Sequence, residues 1–217
     1  MTEVSLMIPD ILNEIYIAYD FLNHKLFNNE LKKIQITIAS FNQKTRSNKT
    51  VLAHFNPRKS WEGDFNEIVL YDSVFTGNFN DILQTLVHEM VHQYCFENGI
   101  KDTEANGRHN KNFRQQAEIV GLTVNKPLTK NQGYTTSLSG ALESVFRVIP
   151  LNHRVIEDFI GINNFKKLNK KNKEIKETIK PVNFKYQCSG CEIEFRSKKD
   201  MNLNCADCDI SLIKSVF

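Results

Sequence analysis

The sequence His88-Glu89-Met90-Val91-His92 places two imidazoles four residues apart, with a carboxylate directly after the first. Residues i and i+4 of an α-helix lie on one face, so both imidazoles can bind the same metal ion. Zinc with three protein ligands and one open position activates water and polarises a carbonyl group. Glu89 lies one step around the helix, where it can exchange protons with that water, so the motif predicts peptide hydrolysis with Glu89 as the catalytic residue.

The alternative is that His88 and His92 are ordinary core or surface residues of a helix. Two ionisable rings beside a carboxylate on a buried helix are unfavourable unless a metal compensates, so a metal site is favoured. The longer motif HExxHxxGxxH does not fit, because Cys95 and Asn98 occupy its glycine and third-histidine positions.

A third ligand is therefore needed from elsewhere in the chain. His109 is the favoured candidate, because it begins a segment in which Phe113 and Ala117 recur at helical spacing. Glu118 is the alternative, since some zinc peptidases take a glutamate from a following helix. The residue that stabilises the oxyanion stays open among Tyr134, Arg108 and His54.

Four of the five cysteines form two CxxC pairs, Cys188/Cys191 and Cys205/Cys208, with 13 residues between them. This spacing predicts a closed, structural zinc site in a zinc ribbon. A segment of about 30 residues buries too little apolar surface to fold alone, so metal binding should supply most of its stability. The alternatives are a redox dithiol or two disulfides. Cys95 is predicted to be a small core residue rather than a nucleophile.

The elements that must position these groups are predicted from hydrophobic periodicity. A helix is expected over 9–27, starting near Pro9 and ending at Asn28-Asn29. Three short strands follow at 34–38, 51–55 and 67–71, and the last is expected to form a sheet edge that pairs with an extended substrate. The apolar residues of 81–97 predict a central buried helix, and Gly121 is expected to end the helix that contains Phe113. Residues 125–150 give no clear pattern.

The run TLVHEMVHQY, followed by GRHNKNF, resembles the SprT-like metallopeptidases, a family that includes the eukaryotic protease Spartan. The upstream run LFNNELKKIQITI and the C-terminal cysteine pattern resemble the family as well. The resemblance implies a zincin-like catalytic domain with His109 as the third zinc ligand and Phe113 as the aromatic residue after it. Asn110-Lys111 stands where these proteins often have glycine or proline. Spartan-type members cleave proteins crosslinked to DNA, so DNA-associated proteins are the substrates that the resemblance suggests.

We therefore expect an α+β protein, in which a small mixed sheet packs on helices and the HExxH motif lies on the central helix. The expected domains are a zincin-like catalytic domain at 1–160, a lysine-rich linker or exposed helix at 161–183, and a four-cysteine zinc ribbon at 184–217. One catalytic and one structural zinc ion are predicted. The absence of a basic, apolar leader or a long apolar run predicts a cytoplasmic monomer with no membrane contact.

The basic residues are concentrated at the C-terminus, where residues 163–217 contain 12 Lys and Arg against seven Asp and Glu. Cationic side chains neutralise phosphates and aromatic rings stack on bases, so this region is a candidate DNA-binding surface. The candidate contacts are Arg196, Lys198, Lys199, Phe184, Tyr186 and Phe195. A second functional hypothesis follows, in which the chain is a nucleic-acid-binding or adaptor protein with an inactive HExxH site.

Overall fold

The chain folds into two compact units, Met1–Lys166 and Lys167–Phe217. The computed structural model describes residues 3–40, 51–57, 65–129, 132–178 and 183–216. The division between the units falls inside the segment 161–183 that was predicted as a linker or exposed helix. The combination of five helices with small sheets confirms the predicted α+β class.

A three-stranded mixed sheet forms one layer of the first unit. Its strands are β1 (Ile34–Ala39), β2 (Ala53–Asn56) and β3 (Asn66–Tyr71), in the order β1-β3-β2. β1 is parallel to β3, whereas β2 is antiparallel to it. Alternate residues such as Ile36, Ile68 and Leu70 are buried in the core cluster, as the two-residue period of a half-buried strand requires.

The position of β3 corrects one prediction. We expected the strand at 67–71 to be the sheet edge that pairs with a substrate, but β3 is the central strand and is flanked on both sides. The edge next to the helix that contains the HExxH motif is β2. Its apolar signal is weaker because all four of its residues are only half-buried.

The first helix, α1, spans Glu3–Leu26 and begins earlier than predicted. Pro9 lies inside it, six residues after Glu3, rather than at its start, and because proline has no main-chain N–H the helix lacks one hydrogen bond there. The predicted stop is confirmed, since Asn28 and Asn29 have φ angles of 53° and 60°. Asparagine is one of the few residues other than glycine that adopts this left-handed conformation readily.

The central helix, α2, spans Phe79–Glu97 and contains the HExxH motif. It begins two residues before the predicted 81–97 because Asn78 and Asp81 form a reciprocal capping box around its first turn. Its buried face includes Leu83, Leu86, Val87, Met90 and Val91, all fully buried in the core. The prediction of a central buried helix is confirmed.

The remaining elements of the first unit complete the enclosure of α2. They are α3 (Lys111–Ile119), the β4 (Thr123–Asn125) and β5 (Thr135–Ser137) hairpin, α4 (Gly140–Phe146) and α5 (His153–Thr178), which continues past the division between the units. α3 ends before Gly121, whose φ of 91° supplies the predicted stop. β5 and α4 lie in the stretch 125–150, for which no clear pattern was found.

The second unit contains a three-stranded antiparallel sheet and a two-stranded antiparallel sheet. The sheet has the order β10-β6-β7 and consists of β6 (Phe184–Gln187), β7 (Glu194–Ser197) and β10 (Ile213–Val216). The two-stranded sheet pairs β8 (Asn204–Cys205) with β9 (Ile210–Ser211). Across both units, none of the described helices has the length and apolarity needed to cross a membrane.

Candidate metal centre and catalytic site

Helix α2 brings His88 and His92 to the same side of the first unit. The two ring centroids are 5.1 Å apart, as expected for neighbours one helical turn apart. Both side chains are half-buried, while the opposite face of the helix is packed in the core. The packing of that opposite face therefore holds both rings in place.

His109 reaches the same point from the segment between α2 and α3. This segment is held by an isolated β-bridge between Thr103 and His109 and by Asn110, whose side chain caps α3 through the main-chain N–H groups of Asn112 and Phe113. Asn110 is thus a favourable helix N-cap at the position where glycine or proline is frequent in the family that the sequence resembles. The cap fixes the residue immediately after His109.

The three histidines converge on one point, each with one ring nitrogen. Nε2 of His92 and Nε2 of His109 are 3.1 Å apart, and one ligand atom from each of the three rings lies within 4.8 Å of the others. Tetrahedral zinc with Zn–N bonds of about 2.0–2.1 Å separates its ligand atoms by roughly 3.4 Å. The spacing therefore fits a single zinc ion.

Each ring is oriented by a hydrogen bond at its other nitrogen. Nδ1 of His92 donates to Asp102 Oδ2 at 2.5 Å, and Nδ1 of His109 donates to the Tyr134 carbonyl at 2.7 Å. Nδ1 of His88 pairs with Thr136 Oγ1 at 2.8 Å. With hydrogen on Nδ1, each Nε2 presents a lone pair to the common point, which is the tautomer that a metal ligand requires.

The electrostatic environment favours the neutral form of His88 and of His109. Burial lowers the pKa of His88 well below its usual value, and His92 and His109 lower it further. Burial likewise lowers the pKa of His109, against the hydrogen bond to Tyr134. Burial by itself would raise the pKa of Asp102, but the hydrogen bond from His92 makes the net change a lowering. Neutral imidazoles and an ionised supporting carboxylate are the protonation states that favour zinc binding.

Phe113 forms one wall of the site. Its ring is fully buried and stacks on His109 with a centroid separation of 4.0 Å and an interplanar angle of 17°. It also contacts His88 and His92, at 4.9 Å and 4.8 Å. The aromatic residue named from the sequence pattern therefore packs against all three histidines and excludes water from one side of them.

Glu89 lies beside the histidine group and is 5% exposed. Burial raises the pKa of Glu89 to about 7, against the opposing effects of His92 and of a hydrogen bond from the main chain of Phe55 in β2. Neither Glu89 nor any other carboxylate belongs to the three-histidine group. The structure thus places a buried carboxylate with a raised pKa beside the three histidines and connects it to the edge strand β2.

Three other residues named from the sequence contribute no side chain to this group. Glu118 is exposed and pairs with Arg114 at 2.9 Å, so the structure brings His109 and not Glu118 to the pair on α2. His54 stacks on Tyr71 with its Nδ1 3.1 Å from the tyrosine hydroxyl. Tyr134 supplies its carbonyl to His109, whereas its ring lies under the Arg114 guanidinium at 5.8 Å.

A comparison of the sequence with protein-family models matches the SprT-like family over residues 15–135. The match covers more than half of the chain and includes all three histidines. The chain belongs to the SprT-like family. No curated protein and no solved structure matches the chain. The resemblance predicted from TLVHEMVHQY and GRHNKNF is confirmed.

The SprT-like match ends before the second unit, where the four cysteines form their own group. Cys188, Cys191, Cys205 and Cys208 each place a sulfur within 4.8 Å of the others, and the sulfurs of Cys191 and Cys205 are 3.6 Å apart. All four are free thiols, so the structure does not pair them as disulfides. This cluster is consistent with the predicted zinc ribbon.

The local backbone of the ribbon suits thiolates. The main-chain N–H groups of Cys191 and Gly190 lower the pKa of Cys188 to about 7. Neighbouring cysteines, Cys191 first, raise the pKa of Cys208 to about 12. One thiolate is favoured and its neighbours are disfavoured, as expected where four sulfurs lie close together. A divalent cation removes that conflict.

The ribbon surface corrects one candidate contact of the sequence analysis. Tyr186 is 1% exposed, and its hydroxyl accepts a hydrogen bond from the Met201 main chain at 2.8 Å, so it is a core residue that cannot stack on a base. Phe195 is 47% exposed. Lys185 and Arg196 are directly opposite each other in the β6–β7 register, which places two cations side by side on one face of the sheet.

The sequence analysis missed three supporting residues, Thr136, Asp102 and Gly133. A Cβ atom at Gly133 would lie 2.7 Å from the main-chain nitrogen of His109, so only glycine permits the close approach that brings the Tyr134 carbonyl to His109. Asp102 is one of three carboxylates between His92 and His109, with Glu97 and Glu104, so residue type alone does not single it out. Thr136 gives no signal, because it stands in a stretch with no clear pattern.

Proposed function

We propose that this chain is a zinc-dependent metalloendopeptidase that hydrolyses peptide bonds in protein substrates. The observation that carries the proposal is the convergence of one ring nitrogen from each of three imidazoles beside the buried carboxylate of Glu89. Zinc, when bound there, supplies an activated water and polarises the scissile carbonyl. His88, His92 and His109 are the residues that would hold it.

Glu89 performs the proton transfer in this proposal. Its carboxylate takes a proton from the attacking water and returns it to the leaving amine nitrogen. Burial raises the pKa of Glu89 to about 7, and a cation next to it shifts the pKa down again, so the group is ionised yet basic enough to accept a proton near neutral pH. The main-chain N–H of Phe55 holds the carboxylate in place.

The free edge of β2 suits the binding of an extended substrate. Tyr71 of β3 donates its main-chain N–H to Leu52, so Leu52 faces β3 and the alternate residues Ala53 and Phe55 face the opposite edge. Within the described residues, β3 is the only strand that pairs with β2. An extended peptide can add to this edge through main-chain hydrogen bonds, which brings its peptide bonds beside Glu89.

We further propose that the substrates are DNA-associated proteins. Lys185 and Arg196 form a cross-strand pair on the ribbon, and Lys198 and Lys199 follow in the adjoining turn. Lys185 is paired with Glu194, so the support for this proposal is the concentration of cationic side chains on this part of the chain, which can neutralise phosphates. The exposed ring of Phe195 offers a stacking surface of the kind used on single strands.

The test compares zinc-loaded wild type with Glu89→Gln on an unfolded protein substrate, with and without single-stranded DNA. Glu104→Gln is the matched control, because Glu104 is an exposed carboxylate outside the histidine group. We expect Glu89→Gln to abolish cleavage while zinc content stays unchanged, and Glu104→Gln to cleave normally. Cleavage that persists in Glu89→Gln would remove Glu89 from the mechanism. DNA binding with no cleavage by wild type would favour the adaptor function.

A further inference from the structure

Asn110 binds the main chain on both sides of Asp102. Its N–H donates to the Asp102 carbonyl at 2.9 Å, and its side-chain Nδ2 donates to the Lys101 carbonyl at 2.8 Å. These two carbonyls flank the α-carbon of Asp102. Because the rotamers open to a side chain depend on its φ and ψ angles, the two hydrogen bonds restrict the direction in which the Asp102 carboxylate points.

The segment from Asp102 to Asn110 is a tight hairpin that carries two groups of the metal site. Thr103 and His109 pair across it in an isolated antiparallel bridge, and Gly107, with a φ of 77°, lies at its closed end. The hydrogen bond from Asn110 to Asp102 closes the open end. One arm of the hairpin therefore presents the carboxylate that supports His92, the other presents His109, and Asn110 joins the two arms.

The two ends of the Asn110 amide have different tasks. Its Oδ1 accepts the main-chain N–H groups of Asn112 and Phe113 at 2.8 Å and 3.2 Å, which caps α3, while its Nδ2 binds the hairpin. An amide side chain offers both an acceptor and donors, so a single residue can do both. A serine would cap the helix as well, but it has no atom in place of Nδ2.

Asn112 adds a second link between α3 and the hairpin. Its Nδ2 also donates to the Lys101 carbonyl, at 2.8 Å. A carbonyl oxygen has two lone pairs, so the amides of Asn110 and Asn112 together fill both acceptor positions of Lys101. Asn110 is half-buried whereas Asn112 is exposed, so water competes less with the hydrogen bond from Asn110.

We propose that Asn110 is a positioning residue of the metal site, which holds Asp102 against His92 and thereby sets the affinity of the three histidines for zinc. The short contact between Asp102 Oδ2 and His92 Nδ1 depends on alignment, because hydrogen bonds weaken steeply when they are bent. The side chain of Asn110 itself lies outside the histidine group and acts through Asp102. This inference rests on the zinc site of the proposed function.

The first experiment measures zinc affinity in the full-length chain. Competition with a chromophoric chelator gives the Kd of the histidine site, and His92→Ala supplies the baseline for the ribbon ion. We expect Asn110→Ser to raise the Kd about threefold to tenfold, which is less than the roughly 10- to 100-fold expected for a direct partner of a ligand. Asn110→Ser/Asn112→Ala leaves the Lys101 carbonyl with neither amide, so its Kd should approach that of Asp102→Asn.

The matched control is Asn163→Ser, because the Nδ2 of Asn163 donates to the Phe159 carbonyl at the same distance, 2.8 Å, in α5. It should leave the zinc Kd unchanged even where it lowers the melting temperature. In the Asp102→Asn background, Asn110→Ser should raise the Kd less than about twofold, because the carboxylate that it positions is absent. An unchanged Kd in Asn110→Ser, or losses that add fully in the double variant, would overturn the proposal.

The second experiment observes the proton on Nδ1 of His92 by heteronuclear NMR of the zinc-loaded protein with labelled histidine. A short hydrogen bond to a carboxylate moves such a proton downfield. We expect an upfield shift of this signal in Asn110→Ser and no shift in Asn163→Ser. A raised Kd in Asn110→Ser with an unmoved proton signal would overturn the proposal, because Asn110 would then not act through Asp102.

Two outcomes separate this inference from the proposed peptidase function. If wild type cleaves protein and Asn110→Ser binds zinc as tightly as wild type, the role of Asn110 is overturned and the peptidase function stands. If Asn110→Ser weakens zinc binding as expected but zinc-loaded wild type cleaves no protein, the role of Asn110 is supported and the peptidase function is not. If Asn110→Ser unfolds the chain, Asn112→Ala replaces it and should raise the Kd about twofold.

Discussion

Asp102 Oδ2 lies 2.5 Å from Nδ1 of His92, so a carboxylate ten residues after the second helical histidine orients that ring. The two side chains are similarly shielded from solvent, at 15% and 16% exposure. A carboxylate behind a metal-ligating imidazole fixes its tautomer and makes Nε2 a stronger donor. The structure thus contains a carboxylate–histidine pair in the position that supports a metal ligand.

Replacing Asp102 with asparagine should weaken zinc binding at the histidine site. We expect a loss of about 10- to 100-fold in affinity, because the imidazole loses its charged hydrogen-bond acceptor. Competition with a chromophoric chelator measures the affinity. Glu104→Gln, an exposed neighbour, is the control and should bind zinc as wild type does. Equal affinities for Asp102→Asn and wild type would show that the pair does not support the metal.

Thr136 should have a smaller effect of the same kind. Thr136→Val keeps the shape of the side chain but removes the oxygen that pairs with Nδ1 of His88 at 2.8 Å. We expect zinc affinity to fall by up to about tenfold, since the lost partner is neutral. Thr135→Val in the same strand is exposed and is the matched control. A larger loss for Thr135→Val than for Thr136→Val would refute the assignment.

Gly133→Ala should displace the main chain of His109. The added Cβ would lie 2.7 Å from the His109 nitrogen and 3.1 Å from Arg108 Cβ, so one of the two segments must shift. Forced overpacking of this kind costs about 1–3 kcal/mol in unfolding free energy. We expect lower zinc content and a lower melting temperature. Gly140→Ala is the control, because no atom lies within 4 Å of a Cβ built there.

The two metal sites should be separable by mutation. Cys208→Ser removes a ribbon ligand, and His92→Ala removes a ligand of the first unit. Because the ligands of each site lie within one compact unit, we expect each variant to hold one zinc ion where wild type holds two. Circular dichroism should show loss of ribbon structure only for Cys208→Ser. Loss of both ions in either variant would contradict independent sites.

Much of this structure could be predicted because the decisive patterns are local. The helix that carries His88 and His92 has strong apolar periodicity, and two asparagines with left-handed backbone mark the end of α1. His109 was predicted as the third zinc ligand from its residue type and its position at the start of a helical segment. The two CxxC pairs predicted a shared site because two such pairs at this spacing are typical of four-cysteine zinc sites.

The errors and omissions arise from non-local structure. The order β1-β3-β2 makes β3 central, and nothing in residues 67–71 alone distinguishes a central strand from an edge strand in a three-stranded sheet. Tyr186 is an aromatic residue of the type that stacks on bases, but its ring is buried. Its hydroxyl forms hydrogen bonds with the main chain of Lys199 and Met201 inside the second unit. Thr136 supports His88 from 48 residues away, which no spacing rule predicts.

The three-histidine zinc site is tested by zinc K-edge X-ray absorption on a full-length variant in which all four ribbon cysteines are changed to serine. We expect one zinc ion per chain, with nitrogen or oxygen ligands at about 2.0–2.1 Å, the multiple-scattering signature of imidazole, and no sulfur shell. We also expect His109→Ala to abolish this signal. A variant that holds no zinc, or whose zinc shows no imidazole ligands, would contradict the proposed catalytic centre.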